Sequence, residues 1–471
     1  MKKFFRLTLV ASFTAAVTAC STLSAGNLFS HYSAQNGGVY QAVETGQYQK
    51  AEDLLPEYVA GDILDNLEKG RVTFLNQQFE PSQTYFELSE VAVRQQQDQA
   101  VISISETATD IGSLAVNDNL QNYVPADYEL GFLHLYLGLN YLHKNSLEGA
   151  LVEVRKANQV QERAKRTRES DLQSAAYDLQ QNGMSANLGS VLSQYPDAGQ
   201  KLQAVQNGYL LYLSALLYET ANELNSAYVD YKRALAVLPD NDQVVEGTLR
   251  VARKIGMWED LKQLEAQYGK PEALSAEQSR IIIIDEQGVV FARQGWKQSL
   301  PVSSSHGTSW YTLALPYYPN AVSEYYPSLR LDDRKVDNSL LVDVNLMASQ
   351  DLTERMPTIV MRQALRVVAK EQLRREASGG NNGNGNSGAE DIGNILFNVW
   401  NVLTEQPDTR SWQTLPAQVY SSSYTVEAGQ HMLSFNDEEY EVSVKAGRTA
   451  LVWISRQGNN AVVWHKQLGA L

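Results

Sequence analysis

Six histidines, at positions 31, 134, 143, 306, 431 and 465, are the first residues to weigh for chemistry. None stands in H-x-H or H-E-x-x-H spacing and a thiolate partner is lacking, so a structural zinc site has no ligand set. His134 falls at a packing position of a helical pattern, where a satisfied core or semi-buried imidazole is the expectation. His306 lies in "SSSHG", Ser303–Gly307, beside three hydroxyls. A serine hydrolase needs its nucleophile on a sharp turn with a base and an orienting acid. No G-x-S-x-G is present, and neighbours in one loop do not make that geometry. Glu438, Glu439 and Glu441 in "NDEEYE" hold the carboxylates that sugar-bond cleavage would use, but a solvated hairpin tip explains them better. Asp332, Asp333 and Asp337 offer oxygens for calcium without the regular spacing of a calcium loop. Gly383, Gly385 and Gly388 spell G-x-G-x-x-G, but a basic helix precedes them where dinucleotide binding needs a strand. No catalytic residue, metal ligand or cofactor is therefore assigned, and the chain is expected not to be an enzyme.

Two recognition patterns remain. Trp310, Tyr311, Tyr317, Tyr318, Tyr325 and Tyr326 crowd a proline-rich stretch. Aromatic rings flank many sugar and peptide grooves because they bury area at low entropy cost. Strand-edge packing against the helical half is the plainer explanation. Arg155, Lys156, Arg163, Lys165, Arg166 and Arg168 form a basic stretch in an acidic protein, able to meet an acidic partner or simply to solvate a helix face.

The single cysteine, Cys20, closes the run "MKKFFRLTLVASFTAAVTAC". Lys2, Lys3 and Arg6 precede an apolar stretch from Leu7 to Val17, too short to cross a bilayer core that needs about 20 apolar residues. This is the layout of a secretory signal. With Ala19 before Cys20 and Ser21 after it, the stretch resembles a bacterial lipoprotein signal. That resemblance implies cleavage before Cys20, acylation of its thiol and new amine, and sorting to the outer membrane, lipid-anchored on the periplasmic side rather than the cell surface. Residues 1–19 are then signal peptide and 20–36 a lipidated tether. The formal charge is −15, and loss of the three basic signal residues takes it to −18. So acidic a chain is a poor general binder of nucleic acid or anionic lipid.

From 37 to 275 the apolar period is helical. In "LLYLSALLYETANELNSAYVDYKRALAVLPDN", Ala215 and Tyr218 lie on one helix, Ala227, Tyr231 and Ala234 on a second, and Pro239 stops it. The unit resembles a tetratricopeptide repeat. Upstream, Gly138, Tyr141, Ala150, Val154 and Ala157 keep the same offsets, with Glu162 where the closing proline would stand, so the second helix should run on. Gly70, Ser82, Phe86 and Ser89, and less clearly Ala51 and Leu55, continue the pattern towards the N-terminus. A pair built from "DQVVEGTLRVARKIG" and "MWEDLKQLEAQYG" should cap it. Such stacks leave a concave face for protein segments. The run "NDNLQNYVPADYELGFLHLYLGLNYL" continuing to "ALVEVRKANQVQ" is similar to a family of poorly characterised proteobacterial outer-membrane lipoproteins with helical repeats. That resemblance implies location and architecture, not a reaction.

After 276 the period becomes that of strands. "RIIIIDEQGVVFARQGWKQSLPV" predicts a hairpin across Asp285–Gly288, and its isoleucine run a strand buried on both faces. "WYTLALPYY", "NSLLVDVNLMA", "YEVSVKAG", "TALVWIS" and "AVVWHKQL" are further strands. Helices are expected within 352–404, interrupted by a Gly/Asn-rich loop at 378–390. The expected fold class is α+β: a tetratricopeptide-like repeat domain, then a β-rich, sandwich-like domain with inserted helices. The expected function is a scaffold or accessory factor for a cell-envelope machine, such as peptidoglycan synthesis, outer-membrane assembly or an appendage, which binds an envelope protein in the helical groove. The alternatives are a peptidoglycan or other glycan binder and, last, an envelope hydrolase.

Overall fold

The computed structural model describes residues 31–103, 122–181, 205–270, 278–304, 307–379 and 406–469. Among them the fold is mixed α+β, with the helices of the N-terminal half, joined by the start of one later helix, packed on one face of a sheet.

The N-terminal helices are α1 (Tyr32–Gln35), α2 (Gly37–Glu44), α3 (Tyr48–Leu54), α4 (Asp62–Leu75), α5 (Phe79–Ser103), α6 (Asp127–His143), α7 (Leu147–Gln181), α8 (Gly208–Thr220), α9 (Leu224–Val237), α10 (Asp242–Lys254) and α11 (Trp258–Tyr268). From α2 to α11 they form five helix hairpins that share one turn. Gln77, Asn145 and Asn222 each adopt positive φ, near 60°. Each lies seven residues after a small residue of the preceding helix, Gly70, Gly138 or Ala215. In the outer hairpins Gly46 and Gly256 take that left-handed position. The next amide then reaches back over the helix end. Gln78 N donates to Thr73 O, Ser146 N to Tyr141 O and Glu223 N to Tyr218 O, each at 2.8 Å, so carbonyls the helix leaves open are satisfied. The helix continues past Glu162 to Gln181, as the missing proline suggested.

Small residues set the approach inside each hairpin. Ser82 Oγ donates to Gly70 O at 2.8 Å, and a Cβ on Gly70 would lie 2.6 Å from the Phe86 ring. Ala150, Ala157, Ala215, Ala227 and Ala234 are all fully buried. Tyr231 fills the space between neighbouring hairpins, its hydroxyl donating to Glu219 at 3.1 Å and its ring lying under Gly247 of α10. Tyr141 packs over Gly149 at the turn, with its hydroxyl towards Glu87. Pro239 opens the turn that follows α9.

The C-terminal part contributes β1 (Ser279–Gln287), β2 (Gln294–Ser304), β3 (Gly307–Tyr317), β4 (Arg330–Leu331), β5 (Arg334–Lys335), β6 (Ser339–Asp343), α12 (Val344–Gly379), β7 (Gln418–Val426), β8 (Gly429–Phe435), β9 (Glu438–Val444), β10 (Thr449–Gln457) and β11 (Asn460–Gln467). The main sheet runs β11-β10-β1-β7-β6, with β1 and β10 parallel. Ile282 and Ile284 of β1 point into the helices, with Leu451 and Trp453 of β10. Ile281 and Ile283 point the other way, with Val452 and Ile454, onto a second sheet, β5-β4-β8-β9. The isoleucine run is thus buried on both faces, between a helical layer and a small sheet.

Several expectations need correction. The hairpin across Asp285–Gly288 does not form: β1 pairs with β10 and β7, while β2 pairs with β3 in a separate ribbon. Val289 and Val290 are buried, and Val290 N donates to Leu415 O, so the chain after β1 is drawn inward rather than turned back. "NSLLVDVNLMA" is strand only to Asp343; α12 starts at Val344 and runs through Pro357. Residues 31–36, expected to belong to a tether, are part of the packed fold. Tyr32 donates to Glu68 at 3.2 Å and Ser33 Oγ to Arg293 O at 2.5 Å, which docks 31–36 onto the fold. The Gly/Asn-rich loop at 378–390 lies outside the described residues from 380 onward.

Candidate functional site

The inner face of the helical stack, the surface expected to receive a partner, is occupied by this chain's own sheet. At its centre is Glu286 on β1, fully buried. Arg71 Nη2 of α4 donates to it at 2.7 Å, Trp453 Nε1 at 3.0 Å and the Tyr136 hydroxyl at 3.2 Å, with the Tyr209 hydroxyl at 3.5 Å. Arg71 is equally buried and lies 4.5 Å from the centre of the Tyr136 ring. Three helix hairpins thus converge on one carboxylate. On the opposite face of the same strand Asp285 accepts from Arg456 Nε at 2.9 Å. Two neighbouring acids of β1 each meet an arginine, one above the sheet and one below.

Beside this pair the segment 409–415 runs along α4 and α6. Glu129 Oε1 accepts from Trp412 N and Glu68 Oε1 from Gln413 N, both at 2.7 Å, and Glu68 Oε2 from Thr414 Oγ1 at 2.6 Å. Tyr123 also bonds to Glu129. Trp412 and Leu415 are fully buried. Burial raises the Glu68 carboxyl to about 7 against the pull of these donors, and raises Glu129 as well. Helix side chains that would grip a foreign segment hold an internal one instead. With no solvent at Glu286 or Arg71, the pair joins layers and has no room for a reactant.

The residues singled out in the sequence are dispersed. Cys20, His306 and Gly383–Gly388 lie outside the described residues. Trp310 and Tyr311 belong to β3, where their backbones pair with Pro301 and Leu300; their side chains are outside the described set. Tyr317 donates to Gln294 at 2.7 Å, and Tyr318 lies half-buried with Arg293 5.4 Å from its ring centre. Tyr325 is exposed, whereas the Tyr326 hydroxyl is held between Glu324 and Gly458 N. Among the described rings, Tyr318 turns to Arg293 and Tyr326 to Glu324 and Gly458, so those two do not line a common groove. Glu438, Glu439 and Glu441 are exposed at the β8–β9 turn and strand. Asp332 sits at positive φ in the β4–β5 turn and bonds His431 Nδ1 at 2.6 Å and Met432 N at 2.8 Å. Both carboxylate oxygens are committed there. His134 pairs with Glu153 at 2.8 Å in the core, as expected of a packing histidine. From the basic stretch, Arg155 reaches Glu223 ahead of α9 and Lys156 reaches Glu90 of α5 as well as Glu153 on its own helix, while the side chains of Lys165, Arg166 and Arg168 lie outside the described residues. Among the described residues no three His, Cys, Asp or Glu converge as a metal site.

An open concavity does lie at the carboxyl ends of β1 and β10. It is a cleft of about 430 Å³, bounded by Tyr40 and Glu44 of α2, Gly288 after β1, Phe291, and Val322 and Glu324 of the loop before β4. Gly46 lets its wall close: Asn460 Nδ2 donates to Thr45 O at 3.1 Å, and a Cβ at Gly46 would sit 2.5 Å from Asn460. Tyr326 donates to Glu324 Oε2 at 2.8 Å, and burial with the Glu324 charge raises the Glu44 carboxyl. Sequence reasoning missed Arg71, Glu286, Glu68 and this cleft. The available signals were an acid pair directly after four isoleucines, and Glu68-x-x-Arg71 set among Leu64, Leu67, Val72 and Phe74 on a helix's apolar face. No family model matches the chain, and no curated protein matches its sequence.

Proposed function

We propose that the chain is an outer-membrane lipoprotein, fastened through Cys20 on the periplasmic side, that acts as a docking scaffold or accessory factor for a cell-envelope machine. The observation that carries the reading is the N-terminal run ending in Ala19-Cys20, whose short apolar stretch fits a processed lipid anchor. No described helix is long and apolar enough to cross a membrane. The five hairpins with one shared turn support a tetratricopeptide-like origin for the helical layer. Because that layer's inner face is covered by the sheet, docking is assigned to outer surfaces and to the cleft at the ends of β1 and β10. Anchoring confines the search for a partner to a thin layer and raises effective concentration without new contacts.

The experiment is crosslinking in cells followed by identification of neighbours, alongside pull-down with purified sacculi. A scaffold gives a short, reproducible set of envelope proteins. Retention on sacculi with no protein neighbour supports the glycan-binding alternative instead, and degradation of sacculi would mark a hydrolase.

A further inference from the structure

We propose that the cleft at the carboxyl ends of β1 and β10 takes a basic segment of a partner protein, a lysine or arginine side chain next to an apolar one. The inference rests on the docking-platform reading and names the chemistry of the partner. At about 430 Å³ the cleft falls within the ~300–1,000 Å³ typical of ligand-holding concavities. Its two charged lining residues, Glu44 and Glu324, are both acidic, and no lysine or arginine lines it. Glu44 ends α2, so the partial negative charge of the helix carboxyl end adds to the two carboxylates. Tyr40 and Phe291 supply aromatic surface, against which the methylene stem of a cationic side chain lies while its head reaches the acids. The adjoining loop leaves Val322 95% and Tyr325 83% exposed, more than any other large apolar side chain described. Negative charge without a counter-cation among the described lining residues, next to uncovered apolar side chains, selects an occupant carrying both positive charge and apolar surface. An acidic segment or nucleic acid is repelled, and a purely apolar one leaves the carboxylates desolvated and unpaired.

The test is a nonapeptide array in three sets: Lys or Arg flanked by Leu or Val, Glu in the same places, and apolar without charge. It is probed with the detergent-solubilised full chain. Wild type should retain the first set over the other two, more weakly as NaCl rises. Glu44→Gln with Glu324→Gln should lower that retention at least tenfold; the amide keeps an acceptor for Tyr326, so the loop stays placed. Val322→Ser with Tyr325→Ser, both at exposed positions, should also weaken it and leave the melting temperature unchanged. Equal retention of all three sets, or unchanged retention by the double glutamine variant, overturns the proposal. Loss of a wild-type dimer in that variant also overturns it, since the occupant would then be a second copy. The docking reading is judged separately: specific in-cell neighbours crosslinked from other surfaces keep it standing when the peptides fail.

Discussion

Replacing Glu286 with Gln should expose how the helical layer and the sheet are joined. The substitution keeps the shape and still accepts from Trp453 and Tyr136, but it leaves the Arg71 charge without its counter-ion at zero exposure. Removing one partner of a buried pair costs about 3–5 kcal/mol, because the other charge stays desolvated. The Tyr136 ring under the guanidinium returns at most ~2 kcal/mol of that and is already present in the wild type. An unfolding entropy of ~2.1 cal/mol/K per residue over about 450 residues gives ~0.9 kcal/mol/K, so the melting temperature should fall by about 3–5 °C. Arg71→Met should cost a similar amount, and Arg71→Met with Glu286→Gln much less than the two summed, since no buried charge then remains. The assay is denaturant and thermal unfolding followed by far-UV circular dichroism and by tryptophan fluorescence, which samples Trp412 and Trp453. Both signals should move together, because the pair ties α4 to β1. Additive single effects, or a shift in fluorescence with the helical signal unmoved, would refute the reasoning.

Three further outcomes follow from the same packing. Glu68 is raised to about 7, so the stability it contributes is whole below its unfolded value near 4.5 and is lost as pH rises through 7; Glu219, lowered to about 2 by Arg250 and Lys254 against its burial, contributes stability present above 4.5 and lost as pH falls towards 2. Urea midpoints measured from pH 3 to 9 should therefore peak near 4.5 and fall from there towards 7, and Glu68→Gln should flatten that falling limb. Gly70→Ala forces a methyl into the Phe86 ring and should cost about 1–3 kcal/mol by urea titration. Gln77→Gly relieves a left-handed residue whose strain is roughly 1 kcal/mol and should leave stability unchanged or slightly higher, whereas Gln77→Val should lower it.

The helical layer was the more legible part of the chain because its signal is local. Ala215 and Ala227, or Gly138 and Ala150, meet across a single turn, so their spacing in sequence is their spacing in space. The sheet was legible strand by strand but not in its pairing. Nothing local says that β1 lies parallel to β10, some 170 residues on, and the Glu-Gln-Gly that closes β1 mimics a hairpin tip although the chain just beyond it turns inward, Val290 N donating to Leu415 O. The buried charges were hidden for the same reason. Arg71 and Glu286 look like surface residues until the fold brings them together. The cleft has the weakest signature in sequence, since Glu44 and Glu324 come from distant segments and only the ends of two strands bring them near each other. Long edges were guarded in a way sequence could have shown. Gln363 bonds both Ala314 N and Ala314 O, which places the outward edge of β3 at Ala314 and, by alternation across the ribbon, puts the missing amide of Pro301 on the outward edge of β2.

Metabolic labelling with a clickable palmitate, followed by outer-membrane fractionation, tests the anchored-platform account most directly. The account predicts a labelled chain that sediments with the outer membrane, and a Cys20→Ser variant that has lost both the label and the membrane. A wild-type chain that carries no label, or a Cys20→Ser variant that keeps it, would contradict the account.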